Sequence, residues 1–281
     1  MKRKTLHKVH LTYHVAAAVG CAALLPVLLV RPVRPTARKK APFRNRAFAH
    51  RGLHSADGAV PENTLAAFRA AAEAGYGIEL DVRLSRDGQV VVFHDDTLER
   101  LCGDARRVDA VDWAELRTLR PGGTEEAIPL FSEALEAIDG RVPLIVELKS
   151  GLCDRELCEK VCALLGAYRG DVCVESFHPL VVAWFRFHAP QYLRGQLAMQ
   201  PEAFAKIGCS RVKSALLGNT LLNAVAGPEF IAYRLGPRPP LVKLAERFGA
   251  LRVGWTARDP AEGEGQDAVI FEHCRPPVRY K

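Results

Sequence analysis

Residues 77–84 read Gly-Ile-Glu-Leu-Asp-Val-Arg-Leu and residues 89–94 read Gln-Val-Val-Val-Phe-His, with Ser85, Arg86, Asp87 and Gly88 between them. Both stretches have strand character, being β-branched or aromatic and bounded by glycine and turn residues. Asp87-Gly88 is a dipeptide that two-residue hairpin turns favour, because both central positions need positive φ. A two-residue turn there pairs Arg86 with Gln89 and, counting back, sets Asp81 opposite His94. Strand side chains alternate with period two, so Glu79 and Asp81 share a face. A cross-strand pair shares its face as well. The expected register therefore gathers two carboxylates and an imidazole on one patch, a metal site with an acid/base group beside it.

Working outward, the pattern alternates between strands and helices. Besides 77–82, strands are expected at 47–50, 143–149, 172–177, 193–197, 230–233, 251–255 and 268–271. The arm 89–94 is then an excursion from the second strand. Helical periodicity falls at about 154–167, 178–188, 214–226 and 240–249, with short helices at 112–116 and 132–138. An Ala-rich helix follows Pro61-Glu62-Asn63-Thr64, capped by Asn63 or Thr64, and closes at Gly75. Only ten residues, 257–266, separate the last two strands, which leaves little room for a full helix. Eight β/α repeats fit an α/β fold, a TIM-type (β/α)8 barrel with a β-hairpin excursion after strand 2. In such barrels active sites gather at the strand C-termini. His50, Asp81, Glu147 and Lys149 all lie at such ends.

Charge divides the chain. Residues 1–46 hold eleven Lys/Arg and no Asp/Glu, whereas residues 47–281 hold 28 Lys/Arg against 32 Asp/Glu. The mildly acidic globular part gives no electrostatic case for nucleic-acid binding. Four domains are expected: a basic segment 1–10, a membrane anchor helix 11–30, a basic Pro-rich tether 31–45 that is extended, and the barrel 46–281. Twenty helical residues span roughly 30 Å, about one hydrocarbon core. The basic flank after the run suits an uncleaved single-pass anchor with a cytoplasmic catalytic domain. Seven cysteines beyond the leader, an odd count with no disulfide-like layout, agree with a reducing compartment.

Seven motifs occur in order: His50-Arg51-Gly52, Pro61-Glu62-Asn63-Thr64, Glu79-Leu80-Asp81, His94-Asp95, Glu147-Leu148-Lys149, Ser176-Phe177 and Trp255-Thr256. In these the chain resembles the glycerophosphodiester phosphodiesterases, a family of phospholipase-C-like barrels. The resemblance implies that Glu79, Asp81 and Glu147 ligate one divalent cation and that His50 and His94 are the general acid/base pair. It implies that Arg51 and Lys149 hold the phosphate, with Glu62 supporting the site or joining the metal shell. Phe177 and Trp255 are candidates for the substrate wall. Oxygen-only ligands independently suit a hard ion, Mg²⁺ or Ca²⁺. A cation with Lys or Arg neutralises a phosphodiester that would otherwise repel a nucleophile. Two imidazoles suit a reaction that removes one proton and delivers another at neutral pH. The implied products are glycerol 3-phosphate and an alcohol such as choline.

The sequence also departs from the family. Ala257-Arg258 replaces an apolar residue and Asn, and the last strand ends in Phe271-Glu272 where Thr-Asp or Thr-Asn is usual. These changes touch the rim and put leaving-group specificity in question. Three rivals stand beside the main reading. They are a phospholipase C/D-type hydrolase acting on lysophospholipids, a Schiff-base aldolase built on Lys149, and a non-catalytic membrane-tethered barrel.

Overall fold

The computed structural model describes residues 24–149 and 154–280. Its strands are β1 (Arg46–Ala49), β2 (Gly77–Leu84), β3 (Val90–Val92), β4 (Leu144–Leu148), β5 (Val172–Ser176), β6 (Leu193–Ala198), β7 (Phe230–Arg234), β8 (Leu251–Ala257) and β9 (Ala268–Phe271). They run β1-β9-β8-β7-β6-β5-β4-β2-β3, and β1 also pairs with β2, which closes eight parallel strands into a barrel. β3 lies antiparallel on β2. Helices Leu65–Glu73, Phe131–Ile138, Arg155–Ala167, Pro179–His188, Arg211–Gly218 and Pro240–Arg247 are among those connecting the strands.

Period two sorts every strand. On β2 and β4, Ile78, Leu80, Leu144 and Val146 face outward into the core shared with the helices. Phe48, Ile145, Cys173, Phe230, Val253 and Ala268 meet inside the barrel. Two residues further along the same strands stand His50, Glu147, Glu175, Ala232, Trp255 and Ile270. The interior is therefore greasy at the strand starts and charged at the ends of β1, β2, β4 and β5. Space inside is tight: a Cβ at Gly195 would come within 2.0 Å of the ring of Phe230, its register partner on β7.

The hairpin differs from the expected register. Val82 pairs with Val92 and Leu84 with Val90, so the loop holds three residues rather than two. Ser85 N donates to Gln89 O and Gly88 N to Ser85 O, with Gly88 at φ +74°. Asp87 explains the choice, because its carboxylate accepts from Ser85 Oγ and from Trp113 N and so pins the loop to the following segment. Asp81 consequently faces Phe93, whose N donates to Asp81 O at 3.1 Å. Phe93 packs with Val91, Leu98, Val108 and Leu116 in a satellite core beneath the excursion.

Two further corrections concern connections. The helix expected at 214–226 is broken into Arg211–Gly218 and Asn223–Ala226, around Thr220 at φ +53°. The short β8–β9 connection behaves as its ten-residue spacing implies, forming only a single 3₁₀ turn, Pro260–Gly263. The expected extended tether is instead docked. Thr36 caps a turn of helix, Ala37–Lys40, and Arg34 Nε donates to Phe248 O. Lys39 pairs at 2.8 Å with Glu229, which also takes Arg194 at 3.0 Å. Phe43, 5 % exposed, stoppers the barrel floor against Ile145, Leu193 and Leu251. The basic, Pro-rich composition of this segment concealed its anchor Phe43, and Val30, the last residue of the run expected to be a membrane anchor, is fully buried against the barrel's helical layer; burying such a side chain is worth about 1.5–3 kcal/mol. The basic segment 1–10 and the apolar run up to residue 23 lie outside the described residues, and 24–29 is helical. Among the described residues no helix is long and apolar enough to cross a membrane.

Candidate active site

The charged strand ends surround a cavity of about 340 Å³ at the barrel mouth. Glu79 and Glu147 line it from β2 and β4, and Asp81, fully buried beside them, is the register partner of Glu147. All three are at most 6 % exposed, and each offers an oxygen within 4.8 Å of the others. Lys149 Nζ sits 2.8 Å from Glu147 Oε1 and 3.1 Å from Asp81 Oδ1. Arg51, at the left-handed φ of +55°, donates its backbone N to Glu79 Oε2 at 3.0 Å. Its side chain pairs with Glu62 at 2.6 Å and lies 3.4 Å from Asp81. The two expected phosphate-binding cations thus flank the three expected ligands.

Burial sets the electrostatics. It pushes Glu79 well above the usual carboxylate range, and Asp81 and Glu147 push it further. Glu147 is raised for the same first reason, against the pull of Lys149. Asp81 is the exception: burial is overcome by Lys149, His94, Arg51 and the Asn63 amide, and it falls well below that range. Buried carboxylates at such separation repel unless a cation lies among them. A hard dication is what three oxygen donors fit, and Mg²⁺ and Ca²⁺ are both of that kind.

Both expected acid/base residues line the cavity. His50 closes β1, with Nδ1 3.5 Å from Glu272 Oε2 and Nε2 4.0 Å from Glu79 Oε2. Burial lowers its pKa while Glu272 opposes that fall. His94 reaches the mouth by leaving the ladder after Val92, not by pairing with Asp81. Arg83 holds the His94 carbonyl with two donors, at 2.9 and 2.6 Å. Its Nδ1 lies 2.6 Å from Asp95 Oδ1, and Asp95 also accepts from Arg100 Nε at 2.6 Å. Those two partners overcome burial and hold Asp95 far below the usual range. Glu62 lines the cavity as an anchor for cations, taking Arg51 and both terminal nitrogens of Arg100. Phe177 and Trp255 form the apolar wall, ring centroids 5.7 Å apart, with Trp255 Nε1 donating to Ala232 O.

Four residues of the site escaped the sequence reading. Glu175 on β5 is the register partner of Glu147, 2 % exposed, with Oε2 lacking a hydrogen bond. Burial, then Glu79 and Glu147, raise it well above the usual range. A lone Glu in Val172-Cys-Val-Glu-Ser was the available signal. Glu272, noted only as a departure, faces His50 with Oε2 3.5 Å from Nδ1. Arg100 closes the rim over Glu62. Asn63 does not cap the helix; Thr64 does, while Asn63 at φ +56° donates to Asp81 Oδ2 at 2.8 Å.

Residues 50–272 match the model of the glycerophosphoryl diester phosphodiesterase family. A glycerophosphodiester phosphodiesterase of Bacillus altitudinis is 33 % identical over 177 residues, 57 % of this chain and 71 % of that one. Lysophospholipase D GDPD1 of Rattus norvegicus is 33 % identical over 158 residues, 52 % of this chain and 48 % of that protein. The chain spans 47–59 % of the length of several of the curated relatives it matches. Among solved structures, an Oleispira antarctica phosphodiesterase in complex with the product sn-glycerol-3-phosphate superposes with a TM-score of 0.65 at 26 % identity, covering 81 % of this chain and 93 % of that one. Matched across most of its length and carrying the motifs at the barrel mouth, the chain belongs to the glycerophosphoryl diester phosphodiesterase family.

Proposed function

We propose that this protein hydrolyses glycerophosphodiesters to glycerol 3-phosphate and an alcohol with the help of one divalent cation, Mg²⁺ or Ca²⁺. The observation that carries the reading is the convergence of Glu79, Asp81 and Glu147 oxygens within 4.8 Å at a mouth that His50 and His94 also line. A cation held by those three supplies charge neutralisation at the phosphodiester. Lys149 and Arg51, already beside the cluster, offset the charge that builds on the phosphoryl oxygens. One imidazole takes the proton of the attacking hydroxyl, from water or the adjacent glycerol, and the other delivers a proton to the departing alkoxide. In a two-step cyclic route they exchange roles. Asp95 and Glu272, both acceptors, favour protons on the Nδ1 atoms they face, which leaves each Nε2 available for the proton in play.

A second reading, hydrolysis of lysophospholipids, is favoured by the likeness to a protein named lysophospholipase D and by the Phe177–Trp255 wall. Membrane anchoring through 11–30, with the barrel on the cytoplasmic side, belongs to the same proposal and rests on the apolar run and its basic flanks. One assay tests the chemistry: the full chain against glycerophosphocholine, glycerophosphoethanolamine and lysophosphatidylcholine, in Mg²⁺, Ca²⁺ and chelator. Release of glycerol 3-phosphate that chelator abolishes is the expected result. Equal rates with and without chelator would overturn the metal-assisted mechanism.

A further inference from the structure

A second group of ligating side chains stands beside the carboxylates, on the β1–β9 side of the mouth, where β1 pairs with both β9 and β2. His54 lies in the loop after β1, and Glu272 and His273 follow β9. One potential ligand atom from each lies within 4.8 Å of the other two. His273 Nε2 is 3.0 Å from Glu272 Oε1, and His54 Nε2 is 3.8 Å from the same oxygen. The two imidazoles meet edge to face, centroids 4.9 Å apart.

An ordinary ion pair accounts for only part of this. The His273 contact is a normal one. His54, however, is more than nine-tenths buried, and its Nε2 has no hydrogen-bond partner although it points at Glu272. A buried ring nitrogen is rarely left in that state. The competing charges lie on the far side of Glu272: Arg258 and His50 both address Oε2, at 3.5 Å. Oε1 is thus left to the two imidazoles. Two nitrogens and one carboxylate oxygen form a borderline donor set, which prefers zinc-class transition ions over Mg²⁺ or Ca²⁺. Ligand atoms on a tetrahedral ion sit about 3.3 Å apart, from metal–nitrogen distances of about 2.0–2.1 Å. The observed separations, 3.0 and 3.8 Å to Glu272 Oε1 and at most 4.8 Å overall, bracket that spacing.

We propose that His54, Glu272 and His273 form a transition-metal site at the rim, separate from the carboxylate cluster and joined to His50 through the two oxygens of Glu272. The ion takes Oε1 while Oε2 continues to face His50, so occupancy bears on the charge that His50 sees.

The test uses Co²⁺ as probe on the chelator-stripped full chain, in excess Mg²⁺, read by equilibrium dialysis and visible absorption. One equivalent of Co²⁺ with a nitrogen-ligated spectrum is expected. His54→Ala and His273→Ala should each weaken that equivalent by at least about tenfold, with circular dichroism unchanged. Glu147→Gln should retain it. Absence of Co²⁺ binding, unchanged affinity in both His variants, or loss of the equivalent in Glu147→Gln would each overturn the site. None of these readouts involves turnover, so the result is independent of the proposed hydrolase chemistry.

Discussion

Two glutamates on the same barrel rim are displaced in opposite directions. Glu79 sits among Asp81 and Glu147, where burial and like charge push it well above the carboxylate range. Glu272 sits among His50, His54 and His273, and is drawn down to about 2, above all by His50. The residue type is identical; the neighbours supplied by adjacent strands differ. One sector of the mouth carries surplus negative charge and invites a cation. The other surrounds a single carboxylate with imidazoles and suits proton handling. A phosphodiester hydrolase needs both, and the barrel sets them side by side, with His50 between Glu79 at 4.0 Å and Glu272 at 3.5 Å.

Breaking the proton-handling sector should have the largest effect. His50→Ala or His94→Ala is expected to lower kcat/KM by about 10²–10⁴-fold while Mg²⁺ affinity, measured by calorimetry, persists. Near-normal turnover in the double variant would remove the acid/base roles altogether. In the cationic sector, Lys149→Met should cost about 10²–10³-fold, and Glu147→Gln should in addition move the Mg²⁺ dependence of the rate to higher concentration.

Subtler changes sharpen the contrast. With His50 as a base, activity needs its neutral form, and its pKa is lowered; the acid limb of kcat/KM therefore lies below the ordinary imidazole value of about 6.5. Glu272 holds that pKa up. Glu272→Gln should thus shift the limb further toward acid, visible in a pH–rate profile; a shift toward alkali would contradict the coupling. Glu175 tests the other sector through stability. Its folded pKa is raised, so its contribution is fully present below the unfolded value of about 4.3 and is lost as pH rises through the folded value. Chelator-treated Glu175→Gln should melt higher than the parent near neutrality, with the difference vanishing in acid. A parent that melts higher at neutral pH would show that Glu175 is ionised and paired. Smallest for catalysis is Lys39→Ala, expected to destabilise by about 1–3 kcal/mol in urea unfolding with kcat unaltered.

The barrel was legible because its strands are short apolar runs spaced by helices, and eight of them leave few alternatives. Glu79, Asp81 and Glu147 were legible because motifs named them, and the parallel register of β2 and β4 carries them to one place. What sequence pattern could not supply was pairing between distant strands. Glu175 became a neighbour of Glu147 only through β4–β5 register, and Glu272 met His50 only through barrel closure. The hairpin illustrates the local limit. Asp87-Gly88 suits a two-residue turn, yet Asp87's contact with Trp113, 26 residues on, favours three. His94 reached the expected face for a different reason, since Arg83 grips its carbonyl beyond the last ladder pair.

The seat of Phe43 has a directional consequence. Val33, Arg34, Lys39 and Phe43 all meet residues in or just ahead of strand starts, whereas the charged cavity lies over the strand ends, about 17 Å away at about 3.3 Å per residue. The described segment from Val33 to Phe43 therefore docks at the pole facing away from the charged cavity. A fusion partner, bead or bilayer attached on that side would hold the enzyme by its base and leave the mouth open to the opposite hemisphere.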